Sequence, residues 1–236
     1  MKKLLLTCVL LLTSTACFAQ DAKPKKGANA DETFDGLVAV KNSAFKRAWA
    51  APDIDLSRYT KIIPVGAEFQ YRAVRGGNNT SYARSNQREF PISDKDKAKL
   101  VQVVSEIFDE ELQKSKRFEI VKEPGPDVLI LVGTLLDIVS LVPPERSGRT
   151  EVYLSRVAEA TLVLELIDSM SNETLVRAAE RRAAERPGGG MNMMWSNPVT
   201  NWAEVRRLAR RWAEKLRKGL DSVEGAPQEA GDAQSS

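Results

Sequence analysis

The stretch Val128 to Val142 constrains this chain most: it is apolar except at Gly133, Thr134, Asp137 and Ser140, β-branched at many positions, and stopped by Pro143-Pro144. Such a run reads as a central strand of a sheet. It is longer than an ordinary strand and is expected to continue outside the sheet, with Gly133 marking a bulge.

Its partners are legible as alternation. Ile63, Val65, Ala67, Phe69 and Tyr71 share one face of a strand that begins near Tyr59, and Pro64 places that strand at an edge or near its start. Phe118 to Val121 is a short strand ended by Glu123-Pro124-Gly125-Pro126. Tyr153 to Ile167 alternates again, Asp168-Ser169-Met170-Ser171-Asn172 supplies turn residues, and Leu175 to Ala183 returns as a hairpin partner.

Two segments carry helical spacing instead. Leu100, Val101, Val104, Ile107, Phe108 and Leu112 follow a Ser93 cap, with Asp94 and Asp96 in the favourable first turn. Trp202, Val205, Ala209, Trp212, Leu216 and Leu220 form the second stripe, for which Asn201 and Glu204 predict a capping-box start. The fold expected is α+β: a two-layer sandwich with a mainly antiparallel sheet of about five strands and two amphipathic helices on one face, in the order β-α-β-β-β-β-α.

The ends of the chain have a different character. Met1-Lys2-Lys3 and the apolar Leu4 to Leu12 match a secretion signal and are too short to span a bilayer, which takes about 20 residues. The expected organisation is a signal peptide over residues 1–19, a linker and extended lead-in over 20–57, one domain over 58–222 and a disordered tail over 223–236. Leu37, Phe45 and Trp49 are expected to lay the lead-in across the domain surface. Cleavage after Ala19 gives a soluble periplasmic protein, whereas cleavage before Cys17 makes Cys17 the lipid-bearing first residue. Cys8 and Cys17 are the only cysteines, so the domain relies on its hydrophobic core rather than on disulfides.

Chemistry is constrained by what is missing. The chain has no histidine, which removes Ser-His-Asp and Cys-His triads, histidine zinc sites and histidine bases. Ser43-Ala44-Phe45-Lys46 matches the Ser-x-x-Lys of penicillin-interacting enzymes without their two companion motifs, and Phe45 reads as a packing anchor. Asp109-Glu110-Glu111 reads as a solvated helix face, and Pro187-Gly188-Gly189-Gly190 as a connector without a phosphate-loop ending. No catalytic residue, cofactor or metal site is expected.

Contact surfaces are a better prospect. The long polar loop over residues 72–92 is one. Met191, Met193, Met194 and Trp195 form another, an adaptable apolar loop whose thioethers alternatively suit Cu(I). Without Lys2 and Lys3 the charge is nearly balanced, 33 basic against 32 acidic residues, yet residues 175–220 hold eleven basic and four acidic side chains. Arg206, Arg207, Arg210 and Arg211, with Arg177, Arg181, Arg182, Lys215, Arg217 and Lys218, form either a solvated face or an attraction to anionic envelope material.

Asp35-Gly36-Leu37, Ser43-x-Phe45, Asp55-Leu56-Ser57-x-Tyr59 with its Ile-Ile-Pro strand, and the hairpin Leu164-Glu165-Leu166-Ile167-Asp168 to Asn172-Glu173-Thr174-Leu175 are familiar in order and spacing. Together they resemble a family of bacterial envelope lipoproteins, domain of unknown function 3313, across residues 35–222. The hairpin is also similar to those of accessory domains related to the TolB amino-terminal domain and to curli-secretion lipoproteins. The resemblance implies a two-layer α/β domain and a lipid anchor at Cys17, with no catalytic residues to carry over. The function expected is that of an exported, non-enzymatic domain contacting an envelope protein or an anionic envelope polymer, not nucleic acid, with membrane attachment through the lipid; the alternative is a periplasmic small-ligand or Cu(I)-binding protein.

Overall fold

The long apolar run forms β5, Val128–Ser140, and it lies inside the sheet with a strand on each side. A computed structural model of the chain describes residues 32–74, 89–144, 151–185 and 193–223. The expected signal segment with Cys17, the expected linker over 20–31, most of the 72–92 loop, the expected Pro187 to Gly190 connector, Met191 and the residues from 224 onward lie outside the described residues.

β5 pairs in parallel with β3, Lys61–Tyr71, and antiparallel with β7, Arg156–Asp168. β7 turns into β8, Thr174–Glu185, as the predicted hairpin, with Asn172 at φ 59 in the left-handed turn. β4, Glu119–Ile120, pairs only with Lys61 and Ile62 of β3, so Pro64 lies beyond its end, where it removes no ladder donor on that side.

Residues expected to lie across the surface instead extend the sheet. β1, Val38–Ala39, pairs with β2, Arg47–Ala50, and β2 pairs with β8 through Trp49 and Arg177, giving the order β1-β2-β8-β7-β5-β3-β4. These strands are too short to show alternation. Leu37 and Phe45 are nonetheless buried beside them.

β5 does not leave the sheet: it stays paired with β7 from Leu129 to Ser140. Two irregularities accommodate its length. β3 slips register between Val65 and Glu68, opposite Gly133, and β5 itself bulges between Leu136 and Val139, where Asp137 takes φ 57. The Asp137 carboxylate accepts from Arg181 at 2.6 Å and from Arg72, whose hydrogen bonds hold it well below the usual carboxylate range. The bulge therefore sits at Asp137 as well as opposite Gly133.

Helix α1, Asp94–Leu112, starts at the predicted Ser93 cap, whose side chain accepts from the Asp96 amide at 3.1 Å. Helix α2, Pro198–Asp221, starts one turn earlier than expected. Its capping box joins Asn197 and Thr200, with Pro198 at the first helical position. Asn201 and Glu204 lie inside the helix, and Glu204 is buried.

Lys99 lies over the Trp202 ring near the N-terminal ends of both helices, and Arg217 bonds Glu111 at 2.8 Å near their C-terminal ends. The helices therefore run parallel, side by side. They close one core with Leu129, Leu131 and Leu135 of β5 and Leu162 and Leu164 of β7, filled from α2 by Leu208, Trp212 and Leu216. Ile130, Val132 and Val163 alternate onto the other face, where they are half-buried. The architecture is α+β, with a mainly antiparallel sheet and two helices.

Candidate functional site

Outside the main sheet, β6, Tyr153–Leu154, pairs antiparallel with β9, Met194–Trp195. Period-two alternation divides the four residues. Leu154 packs against the core and Met194 is buried, whereas the opposed Tyr153 and Trp195 are 49% and 54% exposed. One hydrogen bond extends the ribbon's pairing and another fixes β9 to the start of α2. The Ser196 amide donates to the Val152 carbonyl at 2.7 Å, and the Thr200 hydroxyl donates to the Trp195 carbonyl at 2.8 Å.

Met193, immediately before β9, and Val199, in the first turn of α2, are 61% and 79% exposed. Tyr153 and Trp195 therefore form an exposed aromatic pair on a tied-down support, the arrangement that lets aromatic side chains bind at small entropic cost. The Tyr153 hydroxyl bonds the Glu151 carboxylate at 3.0 Å, which raises the phenol's pKa. Met193 points outward and Met194 inward, so the described residues bring no two thioethers together. The sequence flagged Met193 and Trp195 by composition; it held no signal that Tyr153 stands opposite Trp195, because the pairing is long-range.

The basic block is mostly consumed inside the protein. Arg177 bonds Asp35 and Glu165, both at 2.7 Å, and Arg181 bonds Asp137 at 2.6 Å and Glu159 at 2.8 Å. Lys215 and Arg182 reach the buried Glu180, both at 2.9 Å. Burial pushes the Glu180 carboxyl up, and the hydrogen bonds from Lys215 and Arg182 outweigh it, leaving the pKa lowered. Arg217 bonds Glu111 and Asp221, and Lys218 reaches Glu214 at 4.0 Å.

Of the four candidate arginines, Arg207 is tied to the buried Glu204. Arg206, Arg210 and Arg211 have no ion-pair partner among the described residues, and Arg210 is exposed. The candidate anionic contact thus contracts from a ten-residue block to three guanidinium groups on α2.

The remaining motif residues act structurally. Ser43 accepts from the Phe45 amide at 3.1 Å as a turn contact and makes no hydrogen bond to Lys46. Glu111 is held by Lys114 and Arg217, while Asp109 and Glu110 are exposed. Tyr59, 1% exposed, donates to the buried Asp168 at 2.5 Å, joining the Asp55 to Tyr59 segment to the β7–β8 turn. Among the described residues no group of three His, Cys, Asp or Glu side chains is placed to hold a metal ion, and no helix is long and apolar enough to cross a membrane.

A family model described as "Protein of unknown function (DUF3313)" matches residues 26–216, which include every long strand, α1 and most of α2. No curated protein matches the chain. Solved structures with a similar course include the PelC dodecamer from Paraburkholderia phytofirmans, at 13% identity and TM-score 0.36, covering 74% of this chain and 95% of that one. Protein XCC0632 from Xanthomonas campestris is 9% identical at TM-score 0.38, covering 71% and 86%, and CT253 from Chlamydia trachomatis is 10% identical at 0.33, covering 67% and 96%. At these scores none of them bears on what this chain binds.

Proposed function

We propose that this chain, which belongs to the family of proteins of unknown function DUF3313, is an exported, non-catalytic binding domain that contacts an envelope protein or anionic envelope polymer. Export rests on the leader: a basic Met1-Lys2-Lys3, an apolar Leu4 to Leu12 and small residues before Gln20. The observation that carries the binding reading is the cross-strand pair Tyr153 and Trp195, about half exposed on a ribbon clamped to α2. Exposed aromatic side chains on a rigid support are the usual anchors of an interface.

Arg206, Arg210 and Arg211 on the same helix supply positive charge not neutralised by described partners. Their role is to favour an anionic partner and to orient it during encounter. Where cleavage falls before Cys17, the lipid attached there keeps such a domain at a membrane surface.

The test is co-sedimentation of the purified protein with isolated cell envelopes. The double substitution Tyr153→Ala with Trp195→Ala is expected to weaken binding at least tenfold without lowering the thermal midpoint, since the loss of a buried aromatic anchor costs about 2 kcal/mol. Binding that is unchanged in the double variant overturns the assignment of this surface.

A further inference from the structure

Beneath α1 the sheet surface is indented. β3 carries its extra residue between Val65 and Glu68, opposite Gly133, and the residues at that irregularity, Gly66, Ala67 and Gly133, have the smallest side chains available. The result is a cavity of about 260 Å³ between the sheet and α1. An apolar cavity of about 150 Å³ already accommodates a benzene ring.

Its floor is core: Leu131, Leu162, Leu164 and Leu216 are each at most 6% exposed. Its mouth is not. Val65 is 49% exposed, and Gly66 and Asp109 beside it are exposed too. Past β4 the outer edge of β3 pairs with nothing among the described residues, so the mouth opens at that edge.

Only two of the side chains that line the cavity are polar, Ser105 and Asp109, both on the α1 wall. Aliphatic carbon lines the depth and one carboxylate stands at the opening. We propose that this cavity binds a single unbranched alkyl or acyl chain, inserted tail first, with an uncharged or cationic head group at Asp109. A chain fills the void with dispersion contacts that its lining otherwise lacks. A hydroxyl head donates a hydrogen bond to the Asp109 carboxylate, whereas a carboxylate head meets like charge there. None of Tyr153, Met193, Trp195 or Val199 lines this cavity, so the site stands apart from the aromatic surface.

The shape also supplies the control. A Cβ added at Gly133 would lie 3.7 Å from the Ala67 Cβ and 3.9 Å from Leu164, ordinary contact distances, so a side chain can be placed there without a clash at its root. Ser105→Phe fills the cavity from the helix side and Gly133→Val from the sheet side.

The experiment is titration of the full chain with N-phenylnaphthylamine, a neutral apolar fluorophore, followed by displacement with decanol or decanoate. Saturable binding at one site per chain is expected, with decanol at least tenfold more effective than decanoate and the difference reduced to under threefold by Asp109→Asn. Ser105→Phe and Gly133→Val are each expected to weaken probe binding at least tenfold while retaining the circular dichroism of the parent. Non-saturable fluorescence, or unchanged binding in either folded plug variant, overturns the site. Decanoate displacing as well as decanol overturns the head-group assignment.

Discussion

Removing one hydroxyl, by Tyr59→Phe, tests how the hairpin turn is held. Asp168 is 5% exposed and accepts four hydrogen bonds: Tyr59 at 2.5 Å and Arg58 at 3.0 Å on one oxygen, and the Met170 and Ser171 amides, both at 2.8 Å, on the other. These bonds, Tyr59's foremost, lower the carboxyl pKa from 3.8 to about 2. Because the folded value is depressed, its stabilisation is present above the unfolded value near 3.9 and is lost as pH falls towards about 2. The shift corresponds to about 2 kcal/mol at neutral pH, in the range for a hydrogen bond to a charged group. Arg58 contributes little of it, since its side chain is 62% exposed and screened by water. Tyr59 supplies the largest part of that shift and not the whole, so urea denaturation is expected to show Tyr59→Phe losing about 1.5 kcal/mol at pH 7, with the gap from the parent shrinking as pH falls from 4 to 2. A loss below about 0.5 kcal/mol at pH 7, or one equally large at pH 2, refutes the reasoning.

Three further outcomes follow from other parts of the molecule. Asn197→Ala removes the observed α2 cap and is expected to cost about 1 kcal/mol by thermal or urea denaturation, whereas Asn201→Ala inside the helix costs less than half of that. Titration with Cu(I) under reducing conditions is expected to leave tryptophan emission unchanged and no metal bound after desalting, because Met193 and Met194, the two thioethers of that loop among the described residues, face opposite ways; a stoichiometric complex contradicts this. Intact mass of the protein recovered from cells is expected to show either Gln20 as the first residue or an acylated Cys17, and a chain that still begins at Met1 contradicts export.

Local periodicity carried much of the fold. Leu100 to Leu112 and the Asp168 to Asn172 turn each satisfy a short-range rule and form the helix and the hairpin it predicts, whereas the stripe expected on one face from Ile63 to Tyr71 is split by the register slip after Val65: Ile62 is buried, Val65 is 49% exposed, and Phe69 and Tyr71 return to the core. The α2 start was misplaced because Asn201 and Glu204 also fit a capping box. The better signal was Asn197-Pro198, a cap residue followed by the one residue that begins a helix without needing its amide. Buried Glu204 shows why the polar pair misled: its carboxylate is turned inward and bound to Arg207 rather than exposed at a helix end.

The candidate site was less legible because its parts are distant in the chain. Trp195 was conspicuous, but the strand that brings Tyr153 opposite it is two residues long and has no pattern to detect. The basic block looked like one surface because its acids, Asp35, Glu111, Asp137 and Glu165, lie elsewhere in the sequence. Only the folded arrangement separates Arg206, Arg210 and Arg211 from the paired arginines.

The most direct test of the binding role is photo-crosslinking in living cells, with a benzophenone side chain placed in turn at Trp195, at Tyr153 and at Val101, which is 40% exposed on α1. A shared high-mass adduct from positions 195 and 153, with none from 101, is the predicted result. No adduct at 195 and 153, or the same adducts at all three positions, contradicts a contact made through the aromatic ribbon.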